Sequence, residues 1–491
     1  MIDWLSEAAD LYKSKDYIIF GNRTLSFKKL NEIASYLAIY LQKYYKVNKG
    51  DTAAILSENN IDFMILIYAL WKLGAVPVPI NIRLNDSETD NLVRFLKPSF
   101  IFRSDDTKSI ADHGSTIIRI GADYTIPDIT AIQGNIVLQD NNNTSDENDT
   151  ALILFTSGTL GNPKGVLLSF RNLKASFENS DTVLNHQPGN KWISSLPFYH
   201  IGGFSIIARA LLSGGSIIIP TSSKTEDLAD SIIKFTPTFL SLVSTQLKRL
   251  INRGIKPGAE LKFVLLGGGY IEDNLVEEAV KEGWPIAKVY GSTETSSLIS
   301  FVDCNKDNDK KSSAGKPLAN NQIFIINERK EILAYSNIGE ITVKSDSCAK
   351  GYYNNTTETD KKFRNGIYYT GDSGYIDEDG YLFIESRMDD LIISGGENIN
   401  PLEIEAALTE FPGIQNAAVF GMEDDEWGYT VSAAIITQPG FNISEAEIKE
   451  FLLNKISPFK VPKKYYFLNE FPMSSLGKVQ KNKLREIVRN Y

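Results

Sequence analysis

Short apolar runs recur along the chain between segments of helical periodicity, and this alternation restricts the fold more than any single motif. "TAAILSE", "SIIIP", "KFVLLGGG" and "IAKVYG" each hold a few apolar residues bounded by turn formers, the pattern of strands buried on both faces. Between such runs lie amphipathic stretches. "SFKKLNEIASYLAIYLQKYY" places apolar residues at helical spacing behind Ser26, which can cap the helix. Strands alternating with helices predict an α/β architecture, with sheets covered by helices. The longest apolar stretch, "IDFMILIYALWKLGAVPVPINI", is interrupted by Lys72, Gly74, Pro77 and Pro79. It reads as a buried helix running into a strand, so no membrane insertion is expected.

A chain of 491 residues exceeds what one hydrophobic core usually organises, which predicts two or more domains. The texture changes near Gly366. "GIYYTGDSGYIDEDGYLFIE" reads as two strands joined by an acidic turn at Asp379-Gly380. After "SRMDD" comes a compact unit. Asn400 can cap a helix that has Pro401 in its first turn and Glu403 reaching back, Ser444 and Glu447 form a second capping box, and "NAAVFG" and "TVSAAIIT" are strands between them. The expected division is 1–387, a large multi-layer domain, and 388–491, a small mobile α+β domain, with a hinge near Asp389.

Charge and cysteine content narrow the partners. A formal charge of -10 without a basic stripe gives nucleic acid no surface to bind. Cys304 and Cys348 are too few for a disulfide framework, and "MIDWLSEAADLYKSKDY" puts acids where a signal peptide needs cations, so a cytoplasmic protein is expected.

One stretch, "LILFTSGTLGNPKGVLL", concentrates phosphate chemistry. It is not the common nucleotide loop G-x-x-x-x-G-K-[ST]: Pro163 stands where that loop has its last glycine, and Gly165 where it has the magnesium-binding hydroxyl. Comparable chemistry is still available. Gly158 and Gly161 let backbone amides turn inward on an anion, Thr156, Ser157 and Thr159 add hydroxyls, and Lys164 adds a full charge.

"TSGTLGNPKG" resembles the signature loop of the adenylate-forming superfamily, which includes acyl- and aryl-CoA ligases, luciferases and peptide-synthetase adenylation domains. Further motifs follow in that superfamily's order over nearly the whole chain. "VYGSTETSS" looks like its second core motif, which implies Tyr290 against adenine, Thr293 on the forming acyl phosphate and Glu294 on magnesium. "YYTGDSG" implies Asp372 on the ribose hydroxyls, with Arg387 of "SRMDD" beside it. "PMSSLGKVQKNKL" resembles the catalytic-lysine motif and singles out Lys478, whose ammonium would neutralise charge at the α-phosphate. "LIISGGENI" resembles the small-domain motif used for thioester formation, with Gly395 and Gly396 leaving room for a pantetheine arm. The substrates implied are a small-molecule carboxylate, ATP with Mg2+, and coenzyme A.

"SLPFYHIGGFSIIARALLSGG" contributes two further residues. In related ligases a residue at the place of His200 separates the acyl pocket from the CoA channel. Arg209 lies in "FSIIARALL", which is apolar nearly all round, so its helix should be buried and its guanidinium must find a partner. No acid stands within a helical turn, which leaves a distant acid or a ligand. "SLPFYHIGGFSI", "LSLVSTQLKRLI" and "LLGGGYI" most resemble the o-succinylbenzoate–CoA ligases of menaquinone biosynthesis. Their dicarboxylic substrate would activate one carboxylate and leave the other for a cation such as Arg209. Gly267, Gly268 and Gly269 offer a wall without side chains, and Ser296 and Ser297 offer hydrogen bonds. Another aryl- or fatty-acyl-CoA ligase and a stand-alone carrier-protein loading enzyme are the alternatives within the superfamily; an inert nucleotide-binding descendant would not need Lys164, Glu294, Asp372 and Lys478 together.

Overall fold

The computed structural model describes residues 2–105, 107, 110–120, 146–156, 163–269, 271, 273–387, 392–472, 479 and 481–489. The chain divides into two compact units. One comprises Met1–Ile82, Val93–Phe155 and Gly165–Glu385; the other comprises Arg83–Leu92, Thr156–Lys164 and Ser386–Tyr491.

The larger unit is built on a nine-stranded sheet. Its order runs Lys316–Pro317, Ser297–Asp303, Ile286–Ser292, Phe263–Leu266, Phe239–Leu242, Lys191–Ile193, Ser216–Ile219, Asp16–Phe20, Arg23–Ser26. The pairs from Ile286–Ser292 across to Asp16–Phe20 are parallel, and antiparallel strands finish both edges. A second, four-stranded sheet of Val76–Pro79, Thr52–Leu56, Phe100–Ser104 and Thr116–Ile120 is parallel throughout. The short apolar runs of the sequence therefore are central strands. "GIYYTGDSGYIDEDGYLFIE" forms the expected pair, Ile367–Ile376 and Leu382–Arg387, with Gly380 at φ +83° in the turn between them.

Helices cover the sheets as their periodicity predicts. Ser26 caps Phe27–Tyr40 by accepting from Lys29 N at 3.2 Å. The helix Ile61–Lys72 buries every residue from Phe63 to Trp71, and each large side chain there contributes about 1.5–3 kcal/mol of transfer free energy. Lys72 ends it with its ammonium on Asp3 Oδ2 at 2.7 Å and Ser6 Oγ at 2.9 Å, so the lysine enters the core as part of a pair. Among the described residues no helix is long and apolar enough to cross a membrane.

The second unit has a three-stranded sheet of Ile414–Asp424, Gly428–Thr437 and Lys464–Phe467. Helices Pro401–Thr409 and Glu445–Leu453 accompany it, the latter opened by the Ser444–Glu447 capping box. Glu403 faces Lys460, whose Nζ lies 2.9 and 3.2 Å from its carboxylate oxygens and 2.6 Å from Glu88 Oε1.

Candidate active site

In open parallel sheets, functional groups gather where strands end at their carboxyl side. Three parallel strands of the nine-stranded sheet lead there into the segments singled out by sequence. Lys191–Ile193 leads to Ser194–His200, Phe263–Leu266 to Gly267–Gly269, and Ile286–Ser292 to Thr293 and Glu294. Gly267 is half-buried, with room for a Cβ only 2.8 Å from Val289 Cγ2, while Gly268 and Gly269 are exposed.

The turn bearing Thr293 and Glu294 is tightly built. Any Cβ on Gly291 would collide with the Ser297 carbonyl, and Ser296 and Ser297 take φ of +55° and +104°, a reversal that sends Ser297–Asp303 back antiparallel. Thr295 Oγ1 accepts from Ser292 N at 2.8 Å and so closes the turn. Glu294 is buried, and its Oε1 accepts from Tyr352 Oη at 3.0 Å. Magnesium takes one or two carboxylates beside substrate phosphates, so a single acid with one oxygen engaged fits an ion that arrives on a nucleotide.

Tyr290 and Asp372 come together from two sheets. Tyr290 Oη donates to Asp372 Oδ2 at 2.6 Å. Asp372 follows Gly371, at φ +80°, on the strand Ile367–Ile376, and its backbone N–H donates to Thr370 Oγ1 at 2.9 Å. Tyr290 thereby orients the carboxylate, and Thr370 fixes the backbone that carries it.

Arg209 sits on the helix Ile201–Ser213 with 2% of its surface exposed. Its Nη2 donates to Ser297 Oγ at 3.2 Å, and the guanidinium lies over the Trp192 ring, 5.6 Å from the centroid. Nε is buried with no hydrogen-bond partner, and among the described residues no carboxylate pairs with the group. Burial alone pushes its pKa down to about 9. Behind it stands His186, whose Nδ1 is 2.9 Å from Asp181 Oδ1. Burial first, and then the charge of Arg209, push the His186 imidazole down to about 4, so the ring is neutral. Of the two open readings of Arg209, a pair with a distant acid finds no such acid among the described residues.

His200 occupies the N-cap position of the same helix. Its ring packs edge-on against Tyr199 at 4.8 Å. Glycine is required at position 203, because a Cβ there would strike the Pro197 carbonyl.

With the geometry in hand, comparison with known proteins settles the family. The AMP-binding enzyme family matches residues 5–353, and the AMP-binding enzyme C-terminal domain matches residues 403–478. The chain belongs to the AMP-binding enzyme family. A 2-succinylbenzoate–CoA ligase of Bacillus velezensis is 32% identical over 490 residues, covering 99% of this chain and 98% of that protein. One from Bacillus anthracis is 33% identical over 497 residues, with 99% and 98% covered. Among solved structures, an o-succinylbenzoate CoA synthetase double mutant from Bacillus subtilis, bound with its product analogue OSB-NCoA, matches with TM-score 0.89 at 29% identity, over 99% of this chain and 98% of that one. The Bacillus subtilis enzyme in complex with ATP and magnesium matches with TM-score 0.74 at 29% identity, over 98% and 99%.

For this AMP-binding enzyme, part of the sequence-derived set lies outside the described residues: Ser157, Gly158, Thr159, Gly161, Asp389 and Lys478, together with the Arg387 side chain. The ends of the signature loop are described. Thr156 closes the strand Thr150–Thr156 and Lys164 opens Lys164–Ser169. Gly395 and Gly396, at φ +57° and +85°, form the turn between Ile392–Ser394 and Glu397–Ile399, and a Cβ on Gly395 would press on the Trp427 ring at 2.7 Å. Ser296 departs from its expected role. It is fully buried and spends its hydroxyl on Ser347 O at 2.7 Å, so only Ser297 of that pair carries a hydroxyl toward Arg209. Sequence reasoning missed Tyr352, Trp192 and His186. Tyr352 reaches Glu294 from 58 positions away, and Trp192 and His186 meet Arg209 from a different element of the fold, contacts that no local pattern marks.

Proposed function

We propose that the protein is an AMP-forming acid–CoA ligase whose acid is 2-succinylbenzoate, giving 2-succinylbenzoyl-CoA for menaquinone biosynthesis in the cytoplasm, where ATP and CoA are at hand. The observation that carries the choice of acid is Arg209: a buried guanidinium with a hydroxyl and an indole face for company and no acid among the described residues. A substrate that activates one carboxylate and keeps another supplies the missing anion. A fatty acid does not. The names of the relatives support the same acid.

In the first half-reaction the substrate carboxylate attacks the α-phosphorus of ATP, releasing pyrophosphate and leaving acyl-AMP. Tyr290 would lie against adenine and holds Asp372 for the ribose, and Arg387 would be a further ribose ligand. Thr156, Ser157, Gly158, Thr159, Gly161 and Lys164 hold phosphate, and Thr293 and Lys478 meet the charge that develops at the α-phosphate. Glu294 would hold magnesium, which when bound would neutralise phosphate oxygens. In the second half-reaction the CoA sulfur attacks the mixed anhydride and AMP leaves. His200 then separates the acyl pocket from the CoA side, Gly267–Gly269 flank the ring, and the segment after the Asp389 hinge presents Gly395 and Gly396 in place of Lys478.

AMP release with ATP, magnesium and CoA, measured against 2-succinylbenzoate, benzoate, 4-coumarate, octanoate and acetate, tests the proposal. CoA-dependent turnover confined to 2-succinylbenzoate is expected. Equal turnover with a monocarboxylate would discard the substrate.

A further inference from the structure

The segment Ser194–His200, between the strand Lys191–Ile193 and the helix Ile201–Ser213, leaves the sheet ladder after Ser194, whose N–H still donates to Ile218 O at 2.9 Å. Two amide side chains, one ahead of the helix Ile61–Lys72 and one on the helix Ser244–Asn252, bond to part of the segment. Asn59 uses both ends of its amide: Nδ2 donates to Leu196 O at 2.8 Å and Oδ1 accepts from Phe198 N at 2.8 Å. Gln246 gives the loop one end of its amide and its own helix start the other. Its Nε2 donates to Ser195 O at 2.8 Å, and its Oε1 accepts from Val243 N at 3.2 Å. Ser195 Oγ adds a short hydrogen bond to Ser241 O.

Neither amide is on a loose support. Asn59 follows the strand Thr52–Leu56 and directly precedes Asn60, which caps the helix Ile61–Lys72 by accepting from Phe63 N at 2.8 Å. Asn60 Nδ2 also donates to Ser57 Oγ at 3.0 Å, and Ser57 Oγ accepts from Ser104 Oγ at 2.8 Å. Gln246 belongs to the helix Ser244–Asn252, which follows the strand Phe239–Leu242 of the nine-stranded sheet. The amides of Asn59 and Gln246 thus bond the backbone at Ser195, Leu196 and Phe198, and Ser195 Oγ ties the same stretch to Ser241 O, all just ahead of His200 in the chain. Connecting segments are ordinarily the mobile parts of a fold. This one is fastened where a reaction partner is expected.

We propose that Asn59 and Gln246 are positioning residues for His200: they fix the backbone from Ser195 to Phe198, so that His200 changes position only by rotating its side chain. The proposal rests on the reading of His200 as the residue between the acyl pocket and the CoA side. Neither amide touches substrate; both act through the loop. Preorganisation of this kind holds a group within the narrow range that productive geometry tolerates.

The test uses the full chain with Asn59→Ala, Asn59→Asp and Gln246→Ala, each alone and combined with His200→Ala. Asn59→Asp keeps the acceptor for Phe198 N but loses the donor to Leu196 O, so it should fall between wild type and Asn59→Ala, and it serves if the alanine variant does not fold. Asn59→Ala should lower CoA-transfer turnover about tenfold and raise KM for the acid, with KM for ATP unchanged. In the His200→Ala background the same change should cost less than about twofold, because residues that act as one unit are not additive. Amide hydrogen exchange over residues 195–200 reads the clamp without substrate, and should be slow in the wild type and faster in Asn59→Ala. Exchange that ignores Asn59→Ala would overturn the proposal, as would a penalty that is unchanged when His200 is already alanine. A wild-type enzyme that does not turn over 2-succinylbenzoate would instead overturn the functional reading, and the exchange measurement would still judge the clamp.

Discussion

Among the described residues Arg209, Lys288 and Lys460 are buried cations, and two of them, Arg209 in the larger unit and Lys460 in the smaller, are treated in opposite ways. Lys460 has 7% of its surface exposed and lies between Glu88 and Glu403. Burial alone would lower its pKa, but the two carboxylates raise it. Arg209 is more deeply buried, has Ser297 Oγ and the Trp192 face, and burial pushes its pKa down to about 9, with no carboxylate among the described residues to oppose it. A buried charge is expensive unless it is paired, so these environments carry different meanings. Lys460 completes a structural network. Arg209 is kept at a cost to stability that a bound anion would offset.

The largest expected effect breaks the paired side of the contrast. Lys460→Met removes the cation and leaves two carboxylates in a largely buried site, which should cost about 3–5 kcal/mol of stability. Urea unfolding would read it, and a loss below about 1 kcal/mol would show that the network is solvated. Arg209→Met should do the reverse. The melting temperature is expected to hold or rise, while kcat/KM for 2-succinylbenzoate drops about 100-fold, roughly 2.7 kcal/mol. A smaller effect is expected at the nucleotide side: Tyr290→Phe removes one hydrogen bond to a carboxylate, and KM for ATP should rise about tenfold with KM for the acid unchanged.

The smallest effect concerns the neighbour of Arg209. His186 is neutral when folded, with a pKa pushed down to about 4, and an unfolded histidine titrates near 6.5. Between those values the unfolded state binds the extra proton, so stability is full above pH 6.5 and declines as pH falls toward 4. Asp181, Arg209 and Lys262 are the charged groups that act on the ring. Melting curves from pH 7.5 to 5 should show a shallower pH dependence in His186→Gln than in the wild type, and equal slopes would contradict the neutral assignment.

What the sequence disclosed, and what it hid, follows chain separation. The central strands, the Ser26 cap, the Ser444–Glu447 box and the buried helix of Arg209 are local patterns, readable from a few consecutive residues. Arg209 could even be marked as a cation in need of a partner. Its surroundings could not be named, because Ser297 lies 88 positions away and burial brings them together only once the nine-stranded sheet has formed. Tyr290 and Asp372, 82 positions apart, were each found by motif, but not their hydrogen bond. Lys460 carries no local mark at all: its partner Glu88 is 372 positions distant. Ser296 shows the opposite error, a hydroxyl assigned to substrate that the fold had already claimed.

The central claim is that Arg209 awaits the second carboxylate of the substrate. The most direct measurement compares kcat/KM for 2-succinylbenzoate and for its analogue without the ring carboxylate, in the wild type and in Arg209→Met. A wild-type preference for the dicarboxylate of about 100-fold that collapses to a few-fold in Arg209→Met is the predicted result. A preference that survives the mutation intact would contradict it, and would leave Arg209 as a buried charge held for some other purpose.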